Sequence, residues 1–280
     1  MEKVEISCNT KLAYIREGLG FPIILIHGLD GNLASLCSLK DELKHNYDVI
    51  TYDVRGHGKS SKPNAYHLKD HVEDLKLLMK KLNIEKAHII GHDMGGLIAK
   101  HFGDKYEYMV ASLTLIACNL IDSVLELNKL MIEHDDEIEG FDKSESLILL
   151  LPYMYKEQEK AKKWFQSQLI YNRQSAEESA IATRALMEFP VYNQNIVLEQ
   201  TNIPTLIVNG NYDPLITKEM KREYDQVFHN LKIVNFNQSG HAPHIEEPNH
   251  FLDVFLAFIK TNAYSCLLYT SDAADDLLCV

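Results

Sequence analysis

Three residues stand where an apolar run gives way to a polar turn, and together they make a hydrolytic set. Asp93 follows "HIIGH" inside the stretch "HIIGHDMGGLIA" (His88–Ala99), Asp213 follows "LIVNGNY", and His241 follows "NFNQSG". The first stretch reads as a strand turning sharply into a helix. It has the G-x-S-x-G pattern with Asp93 where a nucleophilic serine is expected. A serine must lose its proton to a histidine before it attacks, whereas an aspartate near its ordinary pKa of about 3.9 is already ionised. Its best target is an sp³ carbon bearing a leaving group, which yields an alkyl ester of Asp93. His241, oriented by Asp213, then activates water against the carbonyl carbon of that ester. Attack on an ordinary carboxylic ester is a poor route, because the tetrahedral adduct expels carboxylate more readily than alkoxide and reverts.

The elements that must position these residues alternate. "VEIS" and "KLAYIREG" predict an opening hairpin, and "PIILIHG" (Pro22–Gly28) is an apolar run suited to a buried parallel strand. "YDVITYDVRGHGKSS" gives another strand and its turn. Leu68, Val72, Leu75, Leu78, Met79 and Leu82 then recur at helical spacing. "KAHIIGHD" and "VASLTLIACN" predict two more strands around the helix "MGGLIAKHFGDKY". From Ile121 to about Gln200 the strand signal stops and helical stretches such as "SLILLLPYMY" and "EKAKKWFQSQLIYNR" take over. Strands resume in "IPTLIVNG" and "LKIVNFNQSG". The expectation is an α/β protein with a doubly wound, mostly parallel sheet: a core of residues 1–121 and 201–264 and an inserted helical cap over 122–200. Gly91 and Gly95 leave room for the tight turn at Asp93, Gly96 lets the next helix pack closely, and the Met94 N–H lies at that helix's N-terminus.

Composition narrows the classes. The formal net charge of −12 offers no basic face to nucleic acid or an anionic membrane. No secretory signal and no membrane-spanning run is read, and five scattered cysteines without C-x-x-C spacing fit a cytoplasmic protein with reduced thiols. The closing "SCLLYTSDAADDLLCV" resembles in-frame sequencing-adaptor read-through, so residues 265–280 are expected to be a disordered tail without function. "GHGKSS" is no phosphate-binding loop, since the first glycine of that motif would fall on Asp53. "HAPHIEE" has neither H-E-x-x-H nor zinc-finger spacing, and no metal is expected there. No organic cofactor is implied, and the expected partner is a small-molecule substrate.

Five blocks in order resemble the α/β-hydrolase fold superfamily. They are "LIHGLDGN", "YDVRGHGKSSKP", "GHDMGG", "NGNYDP" and "SGHAPHIEEP", and the likeness runs from near the start to about Lys260. The resemblance implies that the Leu29 N–H joins that of Met94 as an oxyanion hole, and that His27 and His92 organise loops. Aspartate at the elbow resembles the epoxide hydrolase and dehalogenase branches of the superfamily. Many haloalkane dehalogenases have tryptophan after the nucleophile, and fluoroacetate-type enzymes have arginine there; Met94 is neither. The lone tryptophan, Trp164, is expected to pack in the cap or wall the substrate site. An epoxide needs a proton donor for its opening oxygen, which cap tyrosines supply in the family, making Tyr153, Tyr155, Tyr171 and Tyr192 the candidates. Asp30 stands where those enzymes have proline and is expected to point outward. The flanking blocks look equally like small carboxylesterases and lactonases. Three readings stay open: an epoxide-hydrolase-like enzyme using Asp93, an ester or lactone hydrolase scaffold with aspartate replacing serine, and a ligand-binding protein without turnover.

Overall fold

The first residues alternate in polarity and pair as a hairpin. β1 (Glu2–Ser7) runs antiparallel to β2 (Thr10–Glu17), with Val4 opposite Leu12. The computed structural model describes residues 1–120, 124–187 and 200–275. After β2 come β3 (Pro22–Ile26), α1 (Cys37–Leu43), β4 (Asp48–Tyr52), α2 (Leu68–Lys81), β5 (Ala87–His92), α3 (Met94–Lys105) and β6 (Val110–Ile116). Six helices follow: α4 (Leu125–Glu133), α5 (Asp135–Ile138), α6 (Lys143–Leu149), α7 (Leu151–Met154), α8 (Gln158–Tyr171) and α9 (Ala176–Met187). The chain closes with β7 (Thr205–Gly210), α10 (Lys218–Val227), β8 (Leu231–Phe236), α11 (Pro243–Glu246) and α12 (Pro248–Asp275).

The strands form one eight-stranded sheet in the order β1-β2-β4-β3-β5-β6-β7-β8, parallel from β4 to β8. Runs without polar alternation become the central strands because helices cover both faces. Ile23 and Leu25 turn toward Leu39 and Leu43 of α1 and Phe251 and Phe255 of α12. Ile24 and Ile26 turn the other way, toward Leu75 and Leu78 of α2 and Leu97 and Phe102 of α3. Each such side chain, fully buried, contributes about 1.5–3 kcal/mol. The expected stripe on α2 is buried from Leu68 to Met79, with Leu82 partly buried just past its end. The backbone of α12 is helical to Asp275, past the boundary at which a disordered tail was expected; a helix begun by Phe251 and Phe255 on the sheet simply propagates. Among the described residues no helix is long and apolar enough to cross a membrane.

Strand order positions the site. β3 lies between β4 and β5, so the chain turns one way after β3 and the other way before β5. Ile26 is paired with Gly91 at the carboxyl end of this switch, which places the loops after the two strands side by side. Helices α4 to α8 build their own apolar cluster, including Leu127, Leu147, Leu150 and Phe165, and rest it on Leu215 and Ala242 of the loops after β7 and β8.

Candidate active site

Asp93 sits between β5 and α3 with φ 50° and ψ −118°, a conformation that non-glycine residues hold only when their surroundings enforce it. Its N–H donates to Ile116 O at 2.9 Å, and its carbonyl accepts from Gly96 N–H at 2.9 Å. A Cβ on Gly95 would strike the Ile26 carbonyl, and one on Gly91 would strike the Gly95 carbonyl, so backbone crowding defines the turn. The carboxylate folds back on the chain. Its Oδ2 accepts the Leu29 N–H at 3.0 Å, and the Met94 N–H also bonds to the carboxylate. Burial raises the Asp93 pKa, opposed by the His241 charge and by these two N–H groups.

The Leu29 loop is held from below. His27 Nε2 accepts the Val54 N–H at 3.1 Å, which leaves Nδ1–H to donate to Gly28 O at 2.8 Å. Asp53 is buried and accepts the N–H groups of Leu33 and Lys59, each at 2.7 Å.

His241 donates from Nδ1 to Asp213 Oδ2 at 3.0 Å, and the other oxygen of Asp213 accepts the Leu215 N–H at 2.9 Å. Burial pulls the imidazolium down, but the Asp213 carboxylate, with Asp93 and Glu246 adding to it, carries the His241 pKa up to about 9. At neutral pH the resting His241 is therefore an imidazolium beside Asp93. His92 Nε2–H donates to the His241 carbonyl at 2.8 Å, fixing the main chain behind the ring. His244 packs on His92 at 4.9 Å between ring centroids, and burial keeps it neutral, with a pKa of about 3.

Asp93 and His241 open into a cavity of about 60 Å³. Its walls are largely apolar cap side chains, Leu127, Leu147, Leu151, Met154 and Phe165, with Leu215 opposite. Trp164 is part of the wall and donates from Nε1 to Ser35 O at 2.7 Å. Of the four tyrosines singled out, Tyr155 lines this cavity, its ring 6.3 Å from that of His241. Burial and then the nearby carboxylates hold its hydroxyl well above the ordinary value, so it stays a protonated donor. Tyr153 instead donates to Glu137 at 2.7 Å and stacks on His134 at the surface, while Tyr171 donates to Asp53 at 2.9 Å. Tyr192 lies outside the described residues.

Asp30 does not point outward. It turns under the cap, where Lys143 Nζ lies 2.8 Å from Oδ1 and the Ser179 hydroxyl donates to the same oxygen at 3.2 Å. A cap lysine supplies the countercharge that solvent would otherwise provide. Glu246, read only as part of a metal decoy, is a functional residue that sequence reasoning missed. It is 1% exposed and accepts four backbone N–H groups. Oε1 takes those of Gly240 (2.9 Å) and Ala242 (3.2 Å) on either side of His241, and Oε2 takes those of Lys156 (2.7 Å) and Glu157 (3.0 Å) in the cap. Ile245 between two polar neighbours and the Pro243 helix start were the faint local signals that this carboxylate turns inward.

A parallel sheet with a nucleophile turn after β5, an acid after β7 and a histidine after β8 defines a class of hydrolytic proteins. The chain belongs to the alpha/beta hydrolase fold family, whose model matches residues 22–141 and 152–248. It is similar to lipase 1 of Psychrobacter immobilis, 26% identical across 92% of this chain and 83% of that one. It is also similar to 3-oxoadipate enol-lactonase 1 of Acinetobacter baylyi, 30% identical across 78% of this chain and 81% of that one. Among solved structures, a thermophilic esterase from Thermogutta terrifontis superposes with a TM-score of 0.77 at 22% identity, covering 94% of this chain and 99% of the other. Fold, family and relatives make this chain a hydrolase of the α/β fold.

Proposed function

We propose that the protein hydrolyses a small, largely apolar epoxide-like substrate through an alkyl ester of Asp93. The observation that carries this reading is the Leu29 N–H donating to Asp93 Oδ2 at 3.0 Å. The donors that would receive a substrate carbonyl oxygen in a serine enzyme are already engaged by the nucleophile's own carboxylate. With Oδ2 held, Oδ1 is the oxygen that attacks carbon in line with its leaving group. Tyr155, a protonated hydroxyl in the same cavity, donates to the opening epoxide oxygen. Alkylation removes the Asp93 charge, one of the groups that raise His241, so the imidazole becomes easier to deprotonate when a base is needed. Neutral His241 takes a proton from water, the water attacks Cγ of Asp93, and negative charge develops on Oδ2, where the Leu29 N–H already donates. Collapse of that adduct expels the product alkoxide, which the imidazolium protonates, and leaves Asp93 as a carboxylic acid whose proton returns to the Tyr155 oxygen, restoring the carboxylate and the tyrosine hydroxyl.

A single turnover in ¹⁸O-water tests it. The first product molecule is expected to carry unlabelled oxygen from Asp93, with ¹⁸O entering the protein. Label in that product together with an unlabelled protein would overturn the reading. The lipase and enol-lactonase among the relatives favour a second reading, an ester or lactone hydrolase scaffold with aspartate in place of serine. On that reading Asp93→Ser gains turnover of short p-nitrophenyl esters that the unaltered protein lacks. Absence of turnover on epoxides, haloalkanes and esters alike, with retained ligand binding, would instead support a binding protein.

A further inference from the structure

The cavity at Asp93 is small. Its volume of about 60 Å³ is well under the roughly 150 Å³ of an engineered apolar cavity known to bind one benzene. It can enclose a reactive head of a few atoms, and the rest of a longer substrate must lie elsewhere. A second cavity of about 350 Å³ adjoins it between cap and core, and the two share Asp30, Leu147, Phe165 and Gln168 as a common wall.

The chemistry of the second cavity differs from that of the first. Three cations line it, and each is paired with an acid that lines it too. Lys143 lies 2.8 Å from Asp30, Lys62 lies 2.9 Å from Glu178, and Arg173 pairs with Asp142. A charged ligand would have to break one of these pairs and face the released partner, so the lining selects against net charge. What remains unspent is neutral. Asn172 Nδ2 is enclosed without a partner and meets the cavity that the residue lines by a half-turn of its amide, and Gln168 Nε2 makes only a long 3.4 Å contact with Trp164 O. A buried donor left unpaired gains most from an acceptor brought by a ligand.

We propose that this polar cavity is the distal half of the substrate site, and that it takes the uncharged, hydrogen-bond-accepting tail of a substrate whose small head sits against Asp93. An amide carbonyl about one head-length from the reacting carbon has the chemistry that Asn172 and Gln168 recognise. The placing of the head rests on the reaction proposed above, whereas recognition of the tail does not.

Diols, which no longer react, separate the two. Calorimetric titration of the unaltered protein would compare 1,2-octanediol, the diol of equal length carrying an amide in its tail, and the one ending in a carboxylate. The amide diol is expected to bind about tenfold tighter than the alkyl diol. Asn172→Leu is expected to erase that preference while changing alkyl-diol affinity by no more than about twofold. Asn172→Asp, of the same shape but with an acceptor in place of the donor, is expected to turn the preference against the amide, and it serves if the leucine variant does not fold. Equal binding of amide and alkyl diols, a preference untouched by both variants, tightest binding of the carboxylate, or no saturable binding of the amide diol would each overturn the proposal. Because the diols are not turned over, a failed ¹⁸O experiment leaves this result standing, and the reverse.

Discussion

The turn after β5 and the loop after β8 each hold one reactive side chain, and they hold it by opposite means. At Gly91–Gly96 the backbone does the holding: φ 50° at Asp93 is enforced by main-chain bonds and by carbonyls that leave no room for a Cβ on Gly91 or Gly95. At Ser239–Glu247 a buried side chain does it, since Glu246 gathers the N–H groups flanking His241 together with two from the cap. A turn fixed by sterics is rigid whatever the cap does. A loop fixed by a shared carboxylate is tied to where the cap sits. In the proposed reaction the nucleophile is thus set by the core alone, while the base is set by core and cap jointly.

The largest expected effect separates the two loops outright. His241→Gln leaves the elbow intact, so on the proposed mechanism Asp93 is expected still to alkylate, with no base to remove the ester. Steady-state turnover is expected to fall by about 10⁴-fold, with one equivalent of product precursor retained on the protein. Intact-mass spectrometry after substrate addition reads the adduct directly, and peptide mapping places it on Asp93. A variant that loses turnover without accumulating an adduct would mean that the histidine loop also serves the first step.

These two modes of holding were unequally legible in the sequence. The elbow was readable because its constraint is local: glycines on both sides of Asp93 leave a mark within six residues. The central strands were readable because burial on both faces demands unbroken apolar runs such as "PIILI" and "TLIVNG". Leu29 needed the family resemblance, since a backbone donor has no side-chain signature. Glu246 was hidden among two adjacent acids, and what buries it is a cap segment 90 residues away at Lys156. The inward turn of Asp30 depends likewise on Lys143, and the sorting of Tyr153, Tyr155 and Tyr171 depends on helix packing that periodicity does not orient.

Next in size is a direct attack on the steric side of the comparison. Gly95→Ala drives a methyl group into the Ile26 carbonyl, and backbone cannot move aside as a side chain can. A loss of about 1–3 kcal/mol in stability is expected, measured by denaturant unfolding. Since the elbow and the Leu29 loop share that contact, single-turnover alkylation is expected to slow by about 100-fold even in the folded fraction. Unchanged alkylation in a destabilised protein would show that the crowding shapes the fold and not the nucleophile.

Glu246→Gln tests the other side, and the sign of its pH effect is fixed. The Glu246 charge helps raise His241 to about 9, so removing it lowers the His241 pKa. Hydrolysis of the ester needs neutral imidazole, and its rate therefore reaches its plateau at lower pH in the variant. The amide also presents two hydrogens to one pair of N–H groups, so the loop loosens, and plateau turnover is expected to drop by about tenfold. Stability carries a linked signature. A histidine whose folded pKa lies above its unfolded value of about 6.5 contributes fully below that pH and loses the contribution as pH rises through about 9. The unaltered protein should shed that increment between pH 7 and 9, and the variant should shed it earlier. Hydrolysis rates and melting temperatures that keep their pH dependence would reduce Glu246 to a packing group.

The neighbouring acid sets the lower limit of the comparison. Glu247 also bonds within the loop, accepting the Ser239 hydroxyl at 2.6 Å and the Gln238 N–H at 3.0 Å, yet its side chain is 21% exposed and it takes no N–H from the cap. Both bonds go to one oxygen, which a glutamine can reproduce, and water reaches the rest of the group. Glu247→Gln is therefore expected to change turnover by no more than about twofold and to leave the pH profile of ester hydrolysis in place. If Glu247→Gln matched Glu246→Gln in either readout, charge near the loop would suffice. The distinction drawn from burial and from the cap's own N–H groups would then fall.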